Sequence, residues 1–172
     1  MIKVILILAA VLRLWGLSDY PAGLNADEAA LGYNAYSIMT TGRDEHGHFL
    51  PVNLESFGDF KPALYSYVLI PFIKILGLTE FAVRLPSALA GILAVFLIFK
   101  ISNLIFENSL KIKNLKLKIG EISALLLALS PWHLHYSRGG WEVNLSSTLI
   151  LLATYNLLLW FKNNNFKNLV IC

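Results

Sequence analysis

Between Phe81 and Phe106 the chain carries charge only at Arg84 and Lys100, and almost every other side chain is apolar. A run of that length exceeds the roughly 20 residues that cross a bilayer as a helix. In lipid, backbone polar groups must be satisfied within the segment, so the run dictates helix. Similar blocks lie on both sides of it, and the composition agrees: 56% hydrophobic residues, 15% charged and a mean hydropathy of +0.62. These values place the chain among integral membrane proteins rather than soluble domains.

The blocks predict an all-α fold of polytopic membrane helices, with spans at about 2–17, 81–106, 119–136 and 145–161. Residues 1–172 are read as one part of a single transmembrane domain. The first block is read as a retained anchor, because no small-x-small cleavage pattern follows it. An apolar run restarts at Leu169 after KNNNFKN, which leads us to expect a chain truncated at its C-terminus. The formal charge of +3 is small and its lysines fall in short clusters between apolar blocks, which argues against a nucleic-acid partner. Cys172 is the sole cysteine, so an intrachain disulfide and a thiolate zinc site are both excluded.

Residues 18–80 form a long loop of mixed character, with surface helices predicted at about 26–41 and 62–77. Asn25 is a favourable N-cap, Glu28 falls at its N3 position, and Gly42 supplies a stop. Leu31, Ala35, Ile38 and Met39 share one face, suited to the membrane surface. In KPALYSYVLIPFIKILG only twelve residues separate Lys61 from Lys74. As a helix they would cover roughly 18 Å against a hydrocarbon core of roughly 30 Å. Keeping this segment from crossing puts Lys3, Lys111, Lys113, Lys116, Lys118, Lys162 and Lys167 on the cytoplasmic side, as the positive-inside rule requires. The N-terminus is then cytoplasmic, and the acidic loop 18–80 and the turn PWHLHYSRGGWEVN share the extracytoplasmic face.

On that face the adjacent acids Asp27 and Glu28 are the candidate catalytic groups. Neighbours in a helix point about 100° apart, so Glu28 can cap while Asp27 faces elsewhere as a general base for an acceptor hydroxyl. Lys61 is a candidate phosphate contact, an ammonium being a natural point charge. Arg84, near the outer end of its span, is a candidate substrate-binding residue, as a charge partner for the donor phosphate or for a carboxylate such as Asp27. Arg138 and Glu142, which flank Gly139 and Gly140 in the second outer turn, are further candidate substrate-binding residues. Trp132, Tyr136 and Trp141 read as an aromatic belt. The pairs His46/His48 and His133/His135 are spaced i,i+2, which on a helix sends the rings to different sides and signals metal ligation only weakly. The chain holds no glycine-rich phosphate loop and no nucleophile elbow.

Taken in order, PAGLNADEAALGYNAYSIMTTGRDEHG, GDFKPALYSYVLIPFIKILG, TEFAVRLPSALAGILAVFLIF and SPWHLHYSRGGWEVN resemble the N-terminal half of the dolichyl-phosphate-mannose protein mannosyltransferase-like family. These are C-type glycosyltransferases, whose bacterial members include the lipid A aminoarabinose transferases. The resemblance implies a membrane enzyme that moves a hexose or pentose from a polyprenyl-phosphate donor to a glycan, lipid or protein acceptor of the cell envelope. It places the family's acidic motif at Asp27 and Glu28, its lysine before proline at Lys61, its loop arginine at Arg84, and its second acid at Glu142. No obligatory cofactor is implied. Some relatives bind a divalent metal, and the acid they carry directly before the lysine is replaced here by Phe60. The reading from another class is a non-catalytic membrane protein, a remnant or accessory subunit whose acids merely cap helices.

Overall fold

The computed structural model describes residues 1–56, 58–106 and 118–163. The lysines at 111, 113, 116 and 167 on which the topology argument draws, and the apolar run at 169–172, lie outside the described residues. Seven helices and one hairpin follow in order: α1 (Ile2–Leu14), α2 (Ala26–Thr41), β1 (Asn53–Ser56), β2 (Asp59–Pro62), α3 (Leu64–Leu76), α4 (Glu80–Phe106), α5 (Ile119–Leu129), α6 (Pro131–Arg138) and α7 (Glu142–Asn163).

The axis of the fold is α4, which packs against α1, α2, α3, α5, α6 and α7. It has 27 residues and α7 has 22, and among the described helices these two are long and apolar enough to cross a membrane. Of the other predicted spans, the first forms a helix of 13 residues ending at Leu14. The 119–136 segment is broken in two. Pro131 has no N–H to continue α5, and Ser130 instead caps α6 by accepting from the His133 N–H.

The loop 18–80 is the best-built part outside the long helices. The capping box at Asn25 and Glu28 is formed, and Gly42 ends α2 in the left-handed region at φ 71°. Leu31, Ala35 and Ile38 are buried against Leu54, Tyr65, Leu69, Ile73 and Val83 of the hairpin, α3 and α4, so protein covers much of the stripe expected to meet lipid. Ser66 Oγ donates to Leu31 O at 3.0 Å and Tyr65 OH to Val83 O at 2.9 Å, tying α3 to both neighbours. Sequence pattern did not foresee the hairpin, in which Leu54 pairs with Lys61 and Ser56 with Asp59. As a result Lys61 lies on a strand, and α3 begins three residues after it.

A second core joins Ile5 and Ala9 of α1 to Val95 of α4 and Ala124 and Ala128 of α5. The buried residues of α7 are the polar Asn144, Thr148 and Asn156, and two of them bond to α4. Asn144 Nδ2 donates to Ser87 O at 2.8 Å, and Thr148 Oγ1 to Ala90 O at 3.2 Å. Such bonds bind helices together in lipid, where apolar attraction between them is weak.

Candidate functional site

The site is assembled where the N-terminus of α2, the second turn of α4 and the turn between α6 and α7 meet. Its centre is Glu28, only 1% exposed. Oε1 accepts from Arg84 Nε at 2.9 Å and from the Gly140 N–H at 2.7 Å. Oε2 accepts from the Asn25 N–H at 3.0 Å and from Arg84 Nη2 at 3.2 Å. One carboxylate thus joins three segments distant in sequence. Burial pushes its pKa up, but the bonds from Arg84, Gly140 and Asn25 and the charge of Arg84 outweigh that and hold it below the ordinary glutamate value.

The approach is close because two glycines face Val83. A β-carbon on Gly32 would stand 2.8 Å from Val83 Cγ2, and one on Gly140 would stand 2.9 Å from Val83 Cγ1. Only glycine at these positions lets α2 and the Gly140 turn close on α4.

Arg84 is wholly buried, and besides Glu28 it donates to Leu17 O at 3.1 Å, Pro21 O at 2.8 Å and Gly23 O. Its carboxylate partner is therefore Glu28 and not Asp27. Asp27 Oδ1 pairs with Lys61 Nζ, reached from β2. The Asp27 side chain is 37% exposed and that of Lys61 15%, so the adjacent acids differ in kind. Glu28 is enclosed by donors, while Asp27 keeps access to solvent.

Of the other candidates, Arg138 caps the end of α1: Nη1 donates to Leu12 O at 2.8 Å and Trp15 O at 2.9 Å, and Nη2 to Gly16 O at 3.2 Å and Tyr20 O at 2.9 Å. Glu142 opens α7, and its Oε2 is buried with no hydrogen-bond partner. Trp132, Tyr136 and Trp141 form a ring cluster, Tyr136 lying 4.9 Å from Trp132 and 6.0 Å from Trp141. His48 Nδ1 stands 3.0 Å from Asp44 Oδ2, and Asp44 Oδ1 accepts from the N–H groups of His46 and His48, closing the turn after α2. His133 faces the protein and His135 is exposed.

For a divalent metal the donor set is poor. Both Glu28 oxygens are taken by donors, and Asp27 faces an ammonium. Among the described residues, no group of three or more histidine, cysteine, aspartate or glutamate side chains is gathered to hold an ion.

The sequence pattern described as dolichyl-phosphate-mannose-protein mannosyltransferase matches residues 60–172, more than half of the chain. The chain belongs to this family. Membership, with the two long apolar helices, makes the chain a membrane protein of glycosyltransferase class. The matched segment of the mannosyltransferase family includes Lys61, Arg84, Arg138 and Glu142, and begins after Asp27 and Glu28. No curated protein and no solved structure matches the chain.

Sequence reasoning paired Arg84 with the wrong acid and missed both Gly140 and Arg13. Arg13 is 0% exposed inside α1. Its signal was present, since an arginine within an apolar segment calls for buried partners.

Proposed function

We propose that the chain takes part in transfer of a sugar from a polyprenyl-phosphate donor to an acceptor hydroxyl on the extracytoplasmic face, with Asp27 as general base or acceptor-positioning group. The observation that carries this is the division of labour between neighbours. Glu28 spends both oxygens on Arg84, Gly140 and Asn25, which leaves Asp27 as the half-exposed carboxylate on a rigid helix N-terminus.

In this scheme Asp27 accepts the proton of the acceptor hydroxyl as its oxygen attacks the anomeric carbon. The bond from that carbon to the phosphate oxygen breaks, polyprenyl phosphate leaves, and the anomeric configuration inverts. Lys61 holds Asp27 in the resting site and supplies the cation nearest to it for the leaving phosphate. Glu142, with its buried and unpartnered Oε2, stands at the start of α7 as the second acid of the site. Arg84 and Arg138, whose guanidinium donors are engaged by protein groups, serve as builders of the site and not as phosphate ligands. An apolar groove of about 230 Å³ between α3, α4 and α7, lined by Val68, Phe72, Pro86, Leu89, Leu93 and Leu149, offers a surface fit for an isoprenoid chain.

The test is a transfer assay with polyprenyl-phosphate hexoses and pentoses on the protein expressed from its complete open reading frame. Asp27→Asn should lose about 10²- to 10⁴-fold in kcat, the usual contribution of a positioned base. Undiminished transfer would remove Asp27 from the mechanism.

A further inference from the structure

We infer that Arg13, buried in α1, is a positioning residue that sets the Gly140 N–H against Glu28. Nη1 donates to Ala128 O at 3.3 Å and Nη2 to Leu127 O at 3.5 Å, at the C-terminal end of α5. These carbonyls face the break, where Pro131 has no N–H to continue the ladder, and a cation at a helix C-terminus also meets the negative end of its dipole. Nη2 further donates to His133 Nδ1 at 2.8 Å, which requires a neutral imidazole accepting at that nitrogen. Arg13 thereby holds the end of α5 and the first turn of α6 together. Among the described residues no carboxylate pairs with it, so its role is to tie backbone rather than to balance charge.

From the other end of α6, Arg138 returns the contact to the C-terminal end of α1, on the carbonyls of Leu12, Trp15, Gly16 and Tyr20. Each helix lends an arginine to the other's neighbourhood, and α6 is clamped against α1 at both ends. Two residues beyond Arg138 comes Gly140, whose N–H meets Glu28 Oε1 at 2.7 Å. Ser87 Oγ, on α4, donates to Tyr136 O at 3.0 Å and fixes the middle of the same helix. The direction of the Gly140 N–H is thus the far end of a clamp that starts at Arg13, which touches no proposed reacting group.

The experiment is amide hydrogen exchange on the full chain in lipid nanodiscs, comparing wild type with Arg13→Met and Arg13→Lys. Arg13→Met should raise the exchange rate of the Gly140 amide by about tenfold or more, as expected for a local opening. The Ala63 amide at the start of α3 and the Asp44 amide of the turn after α2, bonded to Val52 O and His48 O, should stay protected. Arg13→Lys, which keeps one donor centre, should recover part of the protection. The kinetic arm rests on the function proposed above: kcat should fall by about a hundredfold, the scale of a misplaced site, with donor KM nearly unchanged. Unchanged Gly140 exchange in Arg13→Met, or equal loss of protection at the control amides, would overturn the inference. If the wild type transfers no sugar, the proposed function fails, and the exchange measurement still decides the role of Arg13.

Discussion

Glu28 and Arg84 form an ion pair that solvent does not reach, Nε standing 2.9 Å from Oε1 with the side chains 0% and 1% exposed. Because Oε2 also takes Nη2 at 3.2 Å, the contact is bidentate and fixes the carboxylate plane. Asn25 and Gly140 then complete its hydrogen bonding, which is what a buried charge needs to be tolerated.

Breaking this pair from one side should be severe. Glu28→Ala strands the Arg84 guanidinium and is expected to destabilise the protein by about 3–5 kcal/mol. Glu28→Gln combined with Arg84→Met should lose less than the sum of the single changes, since the two residues are coupled. Denaturant unfolding in mild detergent measures both.

Asp27 should behave in the opposite way. Its pair with Lys61 is partly exposed, and such pairs contribute under about 1 kcal/mol. Asp27→Asn is therefore expected to leave the unfolding midpoint nearly unchanged while transfer collapses, whereas Glu28→Gln should reduce both. A matched pair of unfolding and transfer measurements separates the two acids.

Acid should weaken the assembly around Glu28 and the turn at Asp44. Burial acts to raise Glu28 and Asp44, but hydrogen bonds and charge from Arg84 and from His48 hold both below their ordinary values of 4.5 and 3.8. The unfolded chain takes up these protons first as pH falls. Their stabilisation is therefore whole above the unfolded values and is lost as pH drops through the folded ones. Thermal unfolding from pH 7 to pH 3 should show a falling midpoint at the acid end, with a shallower fall in Glu28→Gln. A midpoint that rises on acidification would contradict this.

The sidedness inferred from the lysines can be checked with a membrane-impermeant thiol reagent in a Cys172→Ser background. Glu55→Cys, on the exposed side of β1, should be labelled from outside. Lys118→Cys, ahead of α5, should react only after permeabilisation. Labelling of both from outside would mean that α3 crosses.

A methyl group at position 140 tests the close approach. Gly140→Ala places a β-carbon 2.9 Å from Val83 Cγ1 and 3.2 Å from Val83 O. Overpacking of this kind usually destabilises by about 1–3 kcal/mol. Adding Val83→Ala should recover part of the loss, which thermal unfolding of the double variant would report.

Much of this architecture is legible in the sequence because local signals carry it. The capping box at Asn25 and Glu28 and the stop at Gly42 need only neighbouring residues, and both are formed. The apolar runs at Glu80–Phe106 and Glu142–Asn163 likewise announce themselves. What was not legible depends on contacts between distant segments. Whether Arg84 meets Asp27 or Glu28 is decided by the rotation of α2 against α4, which Val83, Gly32 and Gly140 set together. The strand at Lys61 was hidden because Asp59, Phe60, Lys61 and Pro62 show no alternating pattern, and their pairing with Asn53–Ser56 supplies the order. The break at Ser130 was foreshadowed by Pro131, but the long apolar run concealed it.

Val83 lies between two glycines that belong to different parts of the chain, so the volume at this point is shared among three segments. Drift at any one of positions 32, 83 and 140 is therefore constrained by the other two. Among homologous chains a larger residue at 32 or 140 should arrive only with a smaller one at 83, and the three positions should change as a set even where the surrounding helices have diverged.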